Sequence, residues 1–218
     1  ELVSLARYIN SAAFGVLAFL SSRWLVTNLK NYFFALLGSL AILFSIPLLS
    51  VYKYVWSEPV FLVFILLFLF TLERYISTGR RFFLLLSAAF TCFACLTRYM
   101  GTAAVLAAGL VLLVSKRKWK RKVSDLVLYG AVSLVPLGLW FLRNYMVFST
   151  LTGVREPSQM TAASNIELSL KTLASWLLPF PGVPEVYAGM LLCAAFILSA
   201  IFLIKDIKNN TGAVLMIY

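Results

Sequence analysis

Long apolar runs, interrupted only by short charged connectors, constrain this chain more than any other feature. Seven stretches lie near 7–25, 31–52, 59–76, 82–98, 101–115, 124–143 and 186–204. Each approaches the roughly 20 apolar residues that carry a helix across a bilayer, the shorter ones drawing on flanking residues or tilt. Charges fall at their ends and in the connectors, and none lies at a run's centre. Hydrocarbon offers a backbone no partners, so a spanning segment must bond its own N–H and C=O groups, as a helix does. The sequence therefore predicts an all-α, polytopic transmembrane helix bundle of about seven helices, one domain over residues 1–218. An eighth helix is expected to begin at Gly212. Only 12% of residues are charged and mean hydropathy is +0.93, whereas a soluble domain is about a quarter charged.

The connectors alternate in charge. "SRWLVTNLKN", "ERYISTGRR", "SKRKWKRK" and "KDIKNN" carry Arg23, Lys30, Arg74, Arg80, Arg81, Lys116, Arg117, Lys118, Lys120, Arg121, Lys122, Lys205 and Lys208. The opposite side holds only Arg7, Lys53, Arg98, Arg143, Arg155 and Lys171. The positive-inside rule assigns the first set to the cytoplasm. Five acids, Glu1, Glu58, Glu156, Glu167 and Glu185, then fall outside, while Glu73, Asp125 and Asp206 fall inside. The net charge of +11 reads as loop charge facing anionic lipid, not as a nucleic-acid surface. Asn209-Asn210-Thr211 matches a glycosylation sequon but sits on the inner side.

The chain has no histidine, which excludes Ser-His-Asp and Cys-His catalysis and imidazole metal ligation within it. Cys92 and Cys95 form C-x-x-C inside an apolar run without a neighbouring cation. They and Cys193 read as small buried hydrophobes rather than redox thiols. The chain opens on Glu1, not Met, and ends within an apolar run, so it reads as a fragment of a longer protein.

Polar groups gather at the outer helix ends. In "WSEPVF", Pro59 suits the first turn of a helix, where its missing N–H is not needed, and Ser57 or Glu58 can cap the exposed amides. Thr97-Arg98-Tyr99 and Arg143-Asn144-Tyr145 close two other helices, with Arg155 soon after and Lys53-Tyr54 ending a third. Arginine grips phosphate by two parallel hydrogen bonds, so this ring suits a lipid-borne phosphate at headgroup depth. A carboxylate beside it could act as base, orient a hydroxyl or hold a metal. The competing structural reading is that each Arg snorkels to the surface. The outer loop 148–185 is the one long connector. Ser164-Asn165-Ile166-Glu167 fits a capping box, and Ile166, Leu170, Leu173 and Leu177 follow helical spacing. That predicts an amphipathic helix on the outer membrane surface, or one packed on the bundle.

The ordered series "LARYINSAAFGVLAFLSSRWL", "WSEPVFLVFILLFLF", "LTRYMGTAAVLAAGLVLLV" and "PLGLWFLRNYMVFSTLTGVREPS" resembles the GT-C membrane glycosyltransferases. It is most similar to the bacterial branch related to protein O-mannosyltransferases and aminoarabinose transferases. The resemblance implies an inner-membrane enzyme that takes a sugar from a polyprenyl-phosphate carrier and passes it to a lipid, glycan or protein acceptor on the periplasmic or exterior face. It implies Glu58 as a catalytic acid near the donor, and Arg98, Tyr99, Arg143, Asn144 and Arg155 as donor-phosphate ligands. A divalent metal is the one cofactor it allows, and membrane lipids are the other partners it implies. It also implies that the N-terminal helix and the first outer loop, with the principal catalytic acid, lie upstream, so that this fragment alone is inactive. A transporter or flippase for a lipid-linked glycan would use the same outer arginines. A membrane scaffold without ligand would need none of them.

Overall fold

The computed structural model describes residues 2–29, 31–54, 56–153, 160–177, 186–187, 189–195 and 197–199. Arg155, Glu156, Glu185, the tail with its sequon that is expected on the inner side, and the helix expected from Gly212 lie outside them. The described residues form helices and no strand. In order they are α1 (Leu2–Asn28), α2 (Tyr32–Leu43), α3 (Ile46–Lys53), α4 (Glu58–Thr78), α5 (Arg81–Thr97), a 3-10 turn (Tyr99–Gly101), α6 (Thr102–Val114), α7 (Trp119–Phe148) and α8 (Ala162–Leu177). The described residues between 186 and 199 are helical as well.

Among the described residues, four helical spans are long and apolar enough to cross a membrane: Val3–Asn28, Tyr32–Lys53, Glu58–Thr78 and Trp119–Phe148. The two candidates between them are shorter, Arg81–Thr97 and Tyr99–Val114. At 1.5 Å per residue, the 17 residues of α5 reach about 25 Å, a little under the ~30 Å hydrocarbon core.

The predicted helix 31–52 is in fact two. Leu43 ends α2, and α3 starts afresh with Ser45 as its cap, its Oγ accepting from the Leu48 N–H at 3.4 Å. Pro47 explains the break. It has no N–H for the carbonyl of Leu43, and its ring would press on that carbonyl in a continuous helix.

α5 is the centre of the bundle, packed between α4 and α7. Its inward positions are mostly small: Ser87, Ala88, Thr91, Cys92, Ala94 and Cys95 are all buried. Small residues let backbones approach closely where no water drives helices together. Thr91 and the Tyr129 hydroxyl share a hydrogen bond of 2.6 Å across the α5–α7 seam. Several large side chains point the other way, with Leu106 70% and Leu110 61% exposed on α6 against a buried Ala104 and Ala108. Exposed leucines over a small, partly polar interior suit a lipid-facing surface and not a watery one. Cys92 and Cys95 are buried and unbridged, and Cys193 is half-buried.

Side-chain bonds identify the two ends of the bundle. At one end, Arg117 reaches across to α4, where its Nη1 donates to the Tyr75 hydroxyl at 2.7 Å and its Nη2 to the Tyr75 carbonyl at 3.0 Å. Arg121 Nη2 donates to the Gly79 carbonyl at 2.6 Å. We call this the basic end, since α4, α5, α6 and α7 bring Arg74, Arg81, Lys116, Arg117 and Arg121 to it. At the other end, α3 closes on α1, with Asn10 Nδ2 donating to the Tyr54 carbonyl at 2.7 Å.

α8 begins earlier than the capping box predicts. Thr161, not Ser164, caps it: Thr161 Oγ1 accepts from the Ser164 N–H at 3.2 Å. Ala162 and Ala163 are strong helix formers and extend the helix back to a residue that can cap equally well. Glu167 is then free to pair with Lys171 one turn on, at 2.8 Å, and that hydrogen-bonded ammonium holds its carboxyl below the usual range. Gly189 seats the following helical segment on α8, because a Cβ there would fall 2.3 Å from the Leu170 carbonyl oxygen.

Candidate functional site

Glu58 opens α4 and Arg98 follows the last residue of α5, so the antiparallel packing of these helices puts the two at the same end. They form an ion pair between Glu58 Oε1 and Arg98 Nη1, with both side chains about one-third exposed. Ser57 makes no side-chain cap bond to α4, and the Glu58 carboxylate faces Arg98, so capping is not what holds this acid in place. Pro59 sits buried in the first turn, and its carbonyl accepts from the Tyr52 hydroxyl at 3.3 Å.

Backbone geometry sets Arg98. The chain leaves α5 in an extended conformation at Arg98 (φ −150°, ψ 133°) and turns at once into the 3-10 segment. Gly101 lets that turn lie against the end of α5, since a Cβ there would stand 2.5 Å from the Cys95 nitrogen and 2.7 Å from the Ala94 carbonyl carbon. No side chain fits such a gap, so Gly101 fixes how closely the Arg98 corner is pulled in.

The pair stands at the edge of a cavity of about 770 Å³. Leu48, Val51, Phe61, Leu62 and Ile65 make its apolar wall, and Ala103, Ala104 and Ala107 of α6 keep it open by their small size. Ser45 and Pro47 line it too, so the break between α2 and α3 is part of the cavity. One charged pair at the end of an apolar slot can receive an amphiphile with an anionic head. Phosphate would take the Arg98 fork and release Glu58 to face whatever is bound beside it.

The other expected ligands stand nearby without lining this cavity. Tyr99 starts the 3-10 turn and its ring lies 5.4 Å from that of Phe141, which ties the corner to α7. Arg143 is exposed on α7, with its guanidinium 5.2 Å over the Trp140 ring and its Nη1 donating to Asn144 Oδ1 at 3.2 Å. Asn144 is buried and donates to the Leu151 carbonyl at 3.4 Å. It fastens the turn after α7 and does not present itself to a ligand. Arg155 lies outside the described residues. Among the described residues no three His, Cys, Asp or Glu side chains come together, and Glu58 is the one carboxylate lining the cavity. Among the described residues Glu58 is thus the one carboxylate that a metal at this cavity could take as a ligand.

A second cluster escaped the sequence reading. Asp125 is fully buried near the start of α7 and accepts a hydrogen bond from the Tyr75 hydroxyl. Arg81 Nε donates to it at 3.1 Å, and Arg121 Nε stands 3.7 Å away. Arg117 lies over the Tyr75 ring at 4.2 Å. One acid neutralises part of a crowd of cations and locks the α4–α5 and α6–α7 turns together. The available signal was a lone Asp closing the run "SKRKWKRKVSD". The Asp125 carboxylate is closed off from solvent by these partners, and we read the cluster as structural.

Comparison with protein-family models, characterised proteins and solved structures finds no match to this chain.

Proposed function

We propose that this chain is the membrane part of a glycosyltransferase that takes a sugar from a polyprenyl-phosphate carrier at the Glu58 end of the bundle. The observation that carries the reading is the apolar cavity of about 770 Å³ closed by the Glu58–Arg98 pair. An isoprenoid tail fits an apolar slot, and its phosphate fits an arginine at the slot's polar end. The basic end faces the cytoplasm of the cell or inner membrane by its charge. The Glu58 end faces the periplasm or exterior, where the acceptor is met.

The reaction is an inverting displacement at the anomeric carbon. The acceptor oxygen forms a bond to that carbon as the bond from the carbon to the phosphate oxygen breaks. The electron pair leaves on the phosphate, and a carboxylate takes the acceptor's proton. Arg98 stabilises the charge that develops on the departing phosphate. Glu58, released from Arg98 by the phosphate, orients the acceptor or the sugar. Arg143, stacked on Trp140 and close in the chain to the same end, assists at the headgroup and does not line the slot.

The test is sugar transfer from a polyprenyl-phosphate donor by the whole protein. Arg98→Ala is expected to lower kcat/KM by about 100-fold, in line with loss of one oxyanion partner. Glu58→Gln should lower it by at least tenfold and Arg143→Ala by less. Wild-type rates in Arg98→Ala and Glu58→Gln, with folding intact, would overturn the assignment. Donor binding that Arg98→Ala abolishes, without any transfer by the wild type, would favour the transporter reading.

A further inference from the structure

The basic end carries charges that the network around Asp125 does not absorb. Arg23 of α1 and Glu73 and Arg74 of α4 line one pocket of about 480 Å³. Among the described residues, none of these three side chains has an ion-pair or hydrogen-bond partner, although Asp125, Arg81, Arg117 and Arg121 at the same end are all engaged. Glu73 also lines an apolar cavity of about 340 Å³, with Leu25, Ile42, Leu66 and Leu69, and Trp24 and Phe70 border both spaces. A half-buried carboxylate without a partner, at the boundary of an apolar groove, is costly unless a cation meets it. A free metal cation would be repelled by the two guanidiniums beside it. A simple anion would leave the carboxylate unpaired. The fitting ligand carries both charges and an apolar tail.

We propose that this is a binding site for an aminophospholipid of the adjacent leaflet. Its phosphate lies on Arg23 and Arg74, its primary ammonium on Glu73, and one acyl chain in the groove along Leu25, Leu66 and Leu69. The depth agrees. Glu73 is five residues from the end of α4 at Thr78, about 7 Å along a helix axis, which is headgroup level for a spanning helix. The site is at the opposite end of the bundle from the Glu58–Arg98 cavity and does not depend on the reading of that cavity.

Native mass spectrometry of the purified protein tests it, after exchange into equal amounts of phosphatidylethanolamine, phosphatidylcholine and phosphatidylglycerol with identical acyl chains. The wild type should retain phosphatidylethanolamine about tenfold over the other two, the scale of one charge-assisted hydrogen bond. Glu73→Gln should bring that ratio close to one, and Glu73→Asp should restore part of it. Arg23→Ala/Arg74→Ala should weaken retention of all three lipids. Equal retention of the three by the wild type, meaning ordinary boundary lipid, overturns the proposal. So does a Glu73→Gln variant that keeps the wild-type preference.

Discussion

Glu58 and Arg98 are 40 residues apart in sequence, and each alone is an ordinary helix-end charge. Together they make an ion pair, and under the proposed function phosphate would take the carboxylate's place on the arginine. Asp125 shows the opposite case, a buried carboxylate with every partner fixed. Its replacement by Ala leaves the Tyr75 hydroxyl and two guanidiniums without their shared acceptor. A loss of about 2–3 kcal/mol in unfolding free energy is expected, lower than for a fully enclosed pair because Arg81 and Arg121 are half-exposed. Chemical unfolding in detergent measures it, and Asp125→Glu should recover only part.

Two element-scale features shape the Glu58–Arg98 cavity, and both are single residues acting on the backbone. Gly101 allows the 3-10 turn to touch α5. In Gly101→Ala the turn must move away from Cys95, because backbone atoms cannot give way as a flexible side chain would. The expected result is a destabilisation of about 1–3 kcal/mol and a weakened Glu58–Arg98 pair, read, under the proposed function, as affinity for the polyprenyl-phosphate donor lost together with thermal stability. Pro47 separates α2 from α3. Pro47→Ala returns an N–H to the segment and removes the ring clash, so helix content should rise. The cavity should narrow, and lower donor affinity at equal or higher thermal stability is the expected signature.

At the scale of the whole molecule, the helices alternate so that most of the cations collect at one end of the bundle. Arg74, Arg81, Lys116, Arg117 and Arg121 share one end, while Glu58 and Arg98 share the other. A single-cysteine variant at Lys118 should therefore react with a membrane-impermeant thiol reagent only from the side opposite to one at Trp56. Labelling of both positions from one side would contradict the alternation. Native Cys92 and Cys95 are buried and should contribute little background.

The sequence by itself determined the class of fold, because an apolar run of spanning length has one way to satisfy its backbone in lipid. It also located most helix ends, since charges, Pro59 and the Ser-Glu-Pro connector cannot sit at a helix centre at low cost. It placed Glu58 and Arg98 at one depth, but it could not say which arginine the carboxylate meets. Arg98 and Arg143 are equivalent as helix-end cations, and only the packing of α4 against α5 chose between them. Whereas the break at Pro47 follows from the proline itself, the contact that requires Gly101 and the burial of Asp125 were decided the same way. Each depends on which surfaces of neighbouring helices touch, a property that local spacing and charge do not encode. The unpaired trio of Arg23, Glu73 and Arg74 belongs with these, since in sequence they are two ordinary basic connectors and become one pocket only where α1 lies along α4.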